Sequence, residues 1–192
     1  MDRRLYIKSV FGLAVAGAAS FSILKWVSMN RAVVPADLVH KRELLAELAE
    51  LIIPQTDTPG ARAAMVHDYM IMVILNCTPV KEQNKFIDGI AELEDYTAER
   101  YGKDFLQCSL AEKKIVLKHM ARNSSGYSYK ILNKINNKLF GKPFFLKLRE
   151  LTVEGYCQSR LGATQGLAYD YIPHTFEACI PLRKNQKSWA TK

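Results

Sequence analysis

A chain of 192 residues with 48% hydrophobic and 24% charged residues, 10 Gly and 7 Pro has the composition of one folded domain, which excludes a disordered, collagen-like or multi-span membrane chain. Its net charge of +8 raises a polyanionic partner, but residues 1–42 carry +5 and the last ten residues +4, leaving 43–182 at −1. The basicity belongs to the ends, which argues against a nucleic-acid domain, since that function needs a basic stripe on the folded surface.

The first element is an address. Arg3-Arg4-Leu5-Tyr6-Ile7-Lys8 precedes an uncharged run, Val10–Leu24, rich in Ala, Gly and Phe. A charged head on such a run has the layout of a bacterial export signal, and Arg-Arg-x-aromatic-aliphatic-Lys is similar to the twin-arginine pattern. Arg3, Arg4, Tyr6, Ile7 and Lys8 are then the residues read by the twin-arginine translocase, whose cargo crosses already folded. The run is shorter than the ~20 residues of a spanning helix, although extension past Lys25 is tolerable because a lysine near the end snorkels. Ala16-Gly17-Ala18 and Ala18-Ala19-Ser20 are small enough for cleavage but poorly placed, so a cleaved signal and a retained tether on the membrane surface both stay open. Residues 1–34 read as signal or tether plus linker, 35–182 as a helical domain and 183–192 as a basic tail.

Asp37 is placed to cap a first helix in which Leu38, Leu45, Leu48 and Ile52 recur at helical spacing until Pro54 ends it. After the turn Gln55-Thr56-Asp57-Thr58-Pro59-Gly60, an unusually apolar second helix is expected over Ala61–Asn76. A third, Val80–Tyr101, aligns Phe86, Ile90, Leu93 and Thr97 and stops at Gly102. Ser109-Leu110-Ala111-Glu112 is a capping box for a fourth, through Ile115, Leu117 and Met120. Tyr127–Phe140 reads as a fifth, with Lys130, Lys134, Lys138 and Lys142 as a solvated row, and Phe144 to Gly155 as the last. From Tyr156 no period holds, and the apolar, aperiodic stretch Gly162–Leu182 predicts an arm packed on something. The expected fold is all-α, a compact bundle of about five to six helices with an irregular extended C-terminal arm.

Chemistry is hard to find. His40, His67, His119 and His174 lack metal-ligand spacing and read as solvated or hydrogen-bonded residues, so no metal site is expected. Cys77, Cys108, Cys157 and Cys179 form no C-x-x-C; in an exported chain four cysteines permit three pairings, so one disulfide, with Cys157 and Cys179 as one such pair, stays open ahead of two, although a core of this size does not need them. Dinucleotide, phosphate-loop and nucleophile-elbow motifs are absent from the sequence. Glu47, Glu50, Glu92, Glu94 and Asp95 read as solvated helix-surface carboxylates, and Asp57 as a helix cap or turn residue beside a partner surface. No catalytic residue and no cofactor-binding residue is expected in this chain.

Leu51-Ile52-Ile53-Pro54-Gln55-Thr56-Asp57-Thr58-Pro59-Gly60-Ala61 resembles a motif of the gluconate 2-dehydrogenase subunit 3 family. Phe105, then Phe144-Phe145, Leu148, Leu151-Thr152, Gly155-Tyr156, Ser159 and Gly162, look like its later stretches, and Tyr169, Pro173 and Cys179 fall where its closing segment has similar residues. His174–Ala178 departs from the Pro-Gly turn more usual there, and Arg122–Lys142 is longer and richer in lysine.

The resemblance implies a non-catalytic small subunit of a sugar or sugar-acid dehydrogenase on the periplasmic face of the inner membrane. The catalyst is then a large flavoprotein of the glucose-methanol-choline type carrying FAD, with electrons passing to a cytochrome c subunit, whose haem c lies in a third chain, or to another acceptor. The small subunit would steady the flavoprotein and carry it through twin-arginine export. Partner contacts are expected at Pro54, Thr56, Asp57, Pro59, Gly60, Phe144, Phe145, Tyr156, Ser159, Tyr169, Tyr171, Ile172, Pro173 and Phe176, since exposed aromatic and aliphatic anchors suit an interface. The alternative from the residues alone is a stand-alone, membrane-tethered helical binding protein without an oxidoreductase partner. An independent enzyme is a third reading, with no acid–base or nucleophile set to support it.

Overall fold

The computed structural model describes residue 27, residues 30–124 and 141–172, residue 179, and residues 181–182 and 184–190. Within these the chain is helical: α1 Pro35–His40, α2 Arg42–Ile52, α3 Val66–Cys77, α4 Val80–Tyr101, a 3-10 turn Phe105–Gln107, α5 Leu110–Asn123, α6 Phe144–Gln158 and a π turn Gly162–Gly166. Among the described residues there is no strand, only the isolated parallel bridge between Ala168 and Trp189. This is the all-α fold expected from the periodicity. The expected helix Tyr127–Phe140 and the export head lie outside the described residues.

Three boundaries differ from expectation for local reasons. The first helix is split at Lys41, and Asp37 lies in the first turn of α1 behind Val34 without acting as its cap. The break is bracketed by ion pairs in different directions: Lys41 Nζ reaches Glu94 on α4 at 2.7 Å, and Arg42 grips Asp68 on α3 at 2.7 and 2.8 Å. The second helix starts at Val66, not Ala61. Met65 N donates to Arg62 O at 3.1 Å and Val66 N to Ala61 O at 3.1 Å, around Met65 at φ 57. That pair of bonds is a Schellman closure of a single turn, with Met in the left-handed position where Gly is usual. Tyr156 lies in the last turn of α6, one place beyond where periodicity was read to stop.

The core is organised around α6, which packs on α2, α3, α4 and α5. Phe144, Leu148, Leu151, Thr152, Gly155 and Tyr156 are all buried on it. On α4 the expected face Phe86, Ile90, Leu93 and Thr97 is buried, and on α5 the face falls on Val116 and Met120 while Ile115 is exposed. Buried threonine hydroxyls are satisfied locally, Thr97 Oγ1 donating to Leu93 O at 2.6 Å and Thr152 Oγ1 to Leu148 O at 2.7 Å. The capping box forms as read: Ser109 and Glu112 bond reciprocally, and Lys103 together with Ser109 holds the Glu112 carboxyl pKa down at about 2.

Candidate functional site

The motif turn is held by a side chain from the helix before it. Glu50, in the last turn of α2, accepts from Gln55 N at 2.7 Å and from Arg62 N at 2.9 Å, so one carboxylate ties both limbs of the loop. Ala61 N donates to Ile53 O at 2.9 Å, closing the base. Gly60 is buried directly against the Glu50 carboxylate, leaving no room for a Cβ. Pro54, Thr56 and Asp57 form the exposed tip, while Pro59 is half-buried. Asp57 accepts from Thr56 Oγ1 at 2.9 Å, and that hydroxyl, its neighbouring backbone N–H groups and Lys187 hold its carboxyl below the usual range. Asp57 is therefore a turn residue; the helix it was a candidate to cap starts nine residues later, at Val66.

The C-terminal segment meets the same end of the molecule. The buried Tyr156 donates its hydroxyl to Pro59 O at 2.8 Å, bridging α6 to the motif turn. Ser159 Oγ donates to Tyr156 O at 2.8 Å and accepts from Gly162 N at 2.9 Å, turning the chain into Gly162–Gly166. Ala168 N donates to Ser188 O and Ala190 N to Ala168 O, each at 2.8 Å, and Lys187 Nζ bonds Gln165 O. The basic tail is thus fastened to the arm, and its Lys187 lies close enough to Asp57 to act on its charge. Along the arm and tail Tyr169 (45%), Tyr171 (82%), Ile172 (56%), Leu182 (88%) and Trp189 (56%) stand exposed.

The expected contact residues therefore divide. Pro54, Thr56, Asp57, Tyr169, Tyr171 and Ile172 are on the surface; Ser159 and Phe145 are half-buried. Phe144 and Tyr156 are corrected to core residues, because Phe144 packs on Phe86 with ring centroids 5.2 Å apart and Tyr156 is spent on Pro59. Gly60 is likewise internal. Pro173, Phe176, Arg3, Arg4, Tyr6, Ile7 and Lys8 lie outside the described residues. Cys157 and Cys179 are free and exposed, so the disulfide held open for them is not formed. Sequence reasoning missed Glu50 and Trp189. Glu50 looked like any helix-surface acid, and its only signal is its place one turn before a Pro-to-Gly loop. Glu47 and Glu94 are also engaged, with Arg62 and Lys113, and with Lys41.

His67 departs from the expected solvated or hydrogen-bonded histidine. It is 3% exposed, its Nδ1 has no hydrogen-bond partner, and Nε2 is 3.8 Å from Asp68 Oδ1. Burial pushes its pKa down against the attraction of Asp68 and Glu43, with Arg42 and Arg62 adding to the depression. A depressed histidine pKa contributes stability that is present above the unfolded value of 6.5 and falls as pH drops below it. We expect the His67 imidazole signal to titrate below 6.5 in the folded protein. We also expect urea stability to decline as pH falls below 6.5, more in wild type than in His67→Gln. A midpoint above 6.5, or a parallel pH slope in the variant, would contradict the buried neutral ring.

Among the described residues, no group of three or more His, Cys, Asp or Glu is placed to hold a metal ion, and no helix is long and apolar enough to cross a membrane. Residues 39–174 match the sequence family described as gluconate 2-dehydrogenase subunit 3, a span running from the end of α1 to the arm and including the motif turn. No curated protein and no solved structure shows a significant match.

Proposed function

Since the chain belongs to the gluconate 2-dehydrogenase subunit 3 family, we propose that it is the non-catalytic small subunit of an FAD-dependent sugar or sugar-acid dehydrogenase, steadying the large flavoprotein and carrying it through twin-arginine export to the periplasmic face of the inner membrane. The family name itself describes a subunit of a multi-subunit dehydrogenase. The observation that carries the finer reading is the junction of the motif turn with the aromatic arm. Side chains from residues far apart in sequence, Pro54 and Asp57 on one side and Tyr169, Tyr171, Ile172 and Trp189 on the other, are exposed on elements that are bonded together. Exposed Tyr, Trp and Ile are the residue types that anchor protein interfaces.

In this reading the chain supplies surface and the large subunit supplies chemistry. FAD stays in the flavoprotein, which takes hydride from the substrate's hydroxyl-bearing carbon, and a cytochrome c subunit or another acceptor takes the electrons. Arg31 fixes where the N-terminal segment joins the body, since its guanidinium bonds Asn84 at 2.8 Å and Asp88 at 2.6 Å on α4.

Replacing Arg3 and Arg4 together by Lys tests the export half of the proposal. Lysine keeps the charge but not the guanidinium fork, so translocase recognition should fail while folding of the body is unaffected. Flavoprotein and dehydrogenase activity should then accumulate in the cytoplasm. Normal periplasmic activity in that variant would remove the export role.

A further inference from the structure

We infer that Glu50 is the positioning residue of the docking turn, holding Pro54–Asp57 in the shape the large subunit meets; this rests on the reading above that the turn contacts that subunit. The geometry is specific to a carboxylate. Its two oxygens each accept one backbone N–H, Gln55 N on the limb entering the loop and Arg62 N on the limb leaving it. A glutamine has one accepting oxygen and an NH2 that would face the second N–H, donor against donor. Gly60 completes the cradle, since a Cβ there would collide with both carboxylate oxygens and stand 2.7 Å from Gln55 N.

The other anchors of the loop act at its base, Ala61 N on Ile53 O and the Tyr156 hydroxyl on Pro59 O. Among the described residues, only the Glu50–Gln55 bond reaches the limb that carries the exposed tip from the side of α2. Loss of Glu50 therefore frees the tip while the base, and the core beneath it, stay attached. Glu47 is the internal control. It lies one turn earlier on α2 and pairs with the side chains of Arg62 and Lys113, at 3.0 and 2.9 Å, without touching the loop backbone.

The test uses the tagged full-length chain in its own host as wild type, Glu50→Gln, Gly60→Ala and Glu47→Gln. Flavin recovered per small chain and affinity for the flavoprotein are measured beside the melting midpoint and amide exchange at Gln55 and Arg62. Glu50→Gln and Gly60→Ala should each weaken flavoprotein binding about tenfold or more, as loss of a bond to a charged group implies. Exchange at the two amides should rise, core amides should stay protected, and Glu47→Gln should bind as wild type. The inference is overturned if Glu50→Gln binds as tightly as wild type, or if its loss of binding comes with exchange throughout the core, which would make Glu50 a fold residue. A wild-type chain that recovers no flavoprotein overturns the assembly reading and this inference together.

Discussion

Phe86→Ala should lower the unfolding free energy by about 3–5 kcal/mol. Phe86 is 1% exposed on α4, and its ring meets Phe144 at the start of α6 with centroids 5.2 Å apart and planes inclined by 55°. That tilted contact adds to the transfer term lost on truncation. The site cannot collapse easily, because Phe144 begins the helix that packs on four others and cannot move into the cavity alone. Urea unfolding should show a lower midpoint at unchanged m-value. A loss below about 1 kcal/mol would mean that the two rings do not share a core, and the assignment of Phe144 to the interior would go with it.

The second large effect is expected at Gly155, where α6 crosses α3. A Cβ on residue 155 would lie 2.6 Å from Tyr69 Cδ1 and 3.1 Å from Val66 Cγ1. The glycine thus marks a close approach of the two helices, and a β-branched side chain there must push them apart. Gly155→Val should cost about 2–3 kcal/mol despite the better helix propensity of valine. The cause can be separated from a general defect by a double-mutant cycle. Adding Tyr69→Ala should recover part of the loss, giving a coupling of about 1 kcal/mol or more, whereas simple additivity would show that the crowding lies elsewhere.

Much of this fold was legible because helical periodicity reports burial directly. Phe86, Ile90, Leu93 and Thr97 lie on one face of α4 as their spacing required, and the Ser109–Glu112 capping box needs only four consecutive residues. What was not legible depends on contacts between distant residues. Lys41 and Arg42 are adjacent basic residues in sequence, yet they bond to different helices and split the first helix between them. The Schellman turn at Met65 uses a residue with no sequence signal for a left-handed backbone. On α5, Val116 and not Ile115 faces the core, a one-residue difference that composition alone does not resolve.

The candidate site was half visible for the same reason. The motif turn and the aperiodic aromatic arm stand out as strings, but a motif does not say which of its members are internal. Phe144 and Tyr156 are among the residues on which the resemblance rests, and both are consumed by the core and by the link to Pro59. Glu50 and Trp189 carry no motif and enter only through the loop bonds and the Ala168 bridge.

The central claim, that this chain is the surface-supplying subunit of a flavin dehydrogenase, is tested most directly by purifying the tagged full-length chain from its own cell envelope. The expected result is a yellow complex in which a large flavin-containing subunit co-elutes in fixed ratio, with dehydrogenase turnover in the complex and none in the small chain alone. A colourless chain eluting by itself, or substrate turnover by the isolated small chain, would contradict the claim.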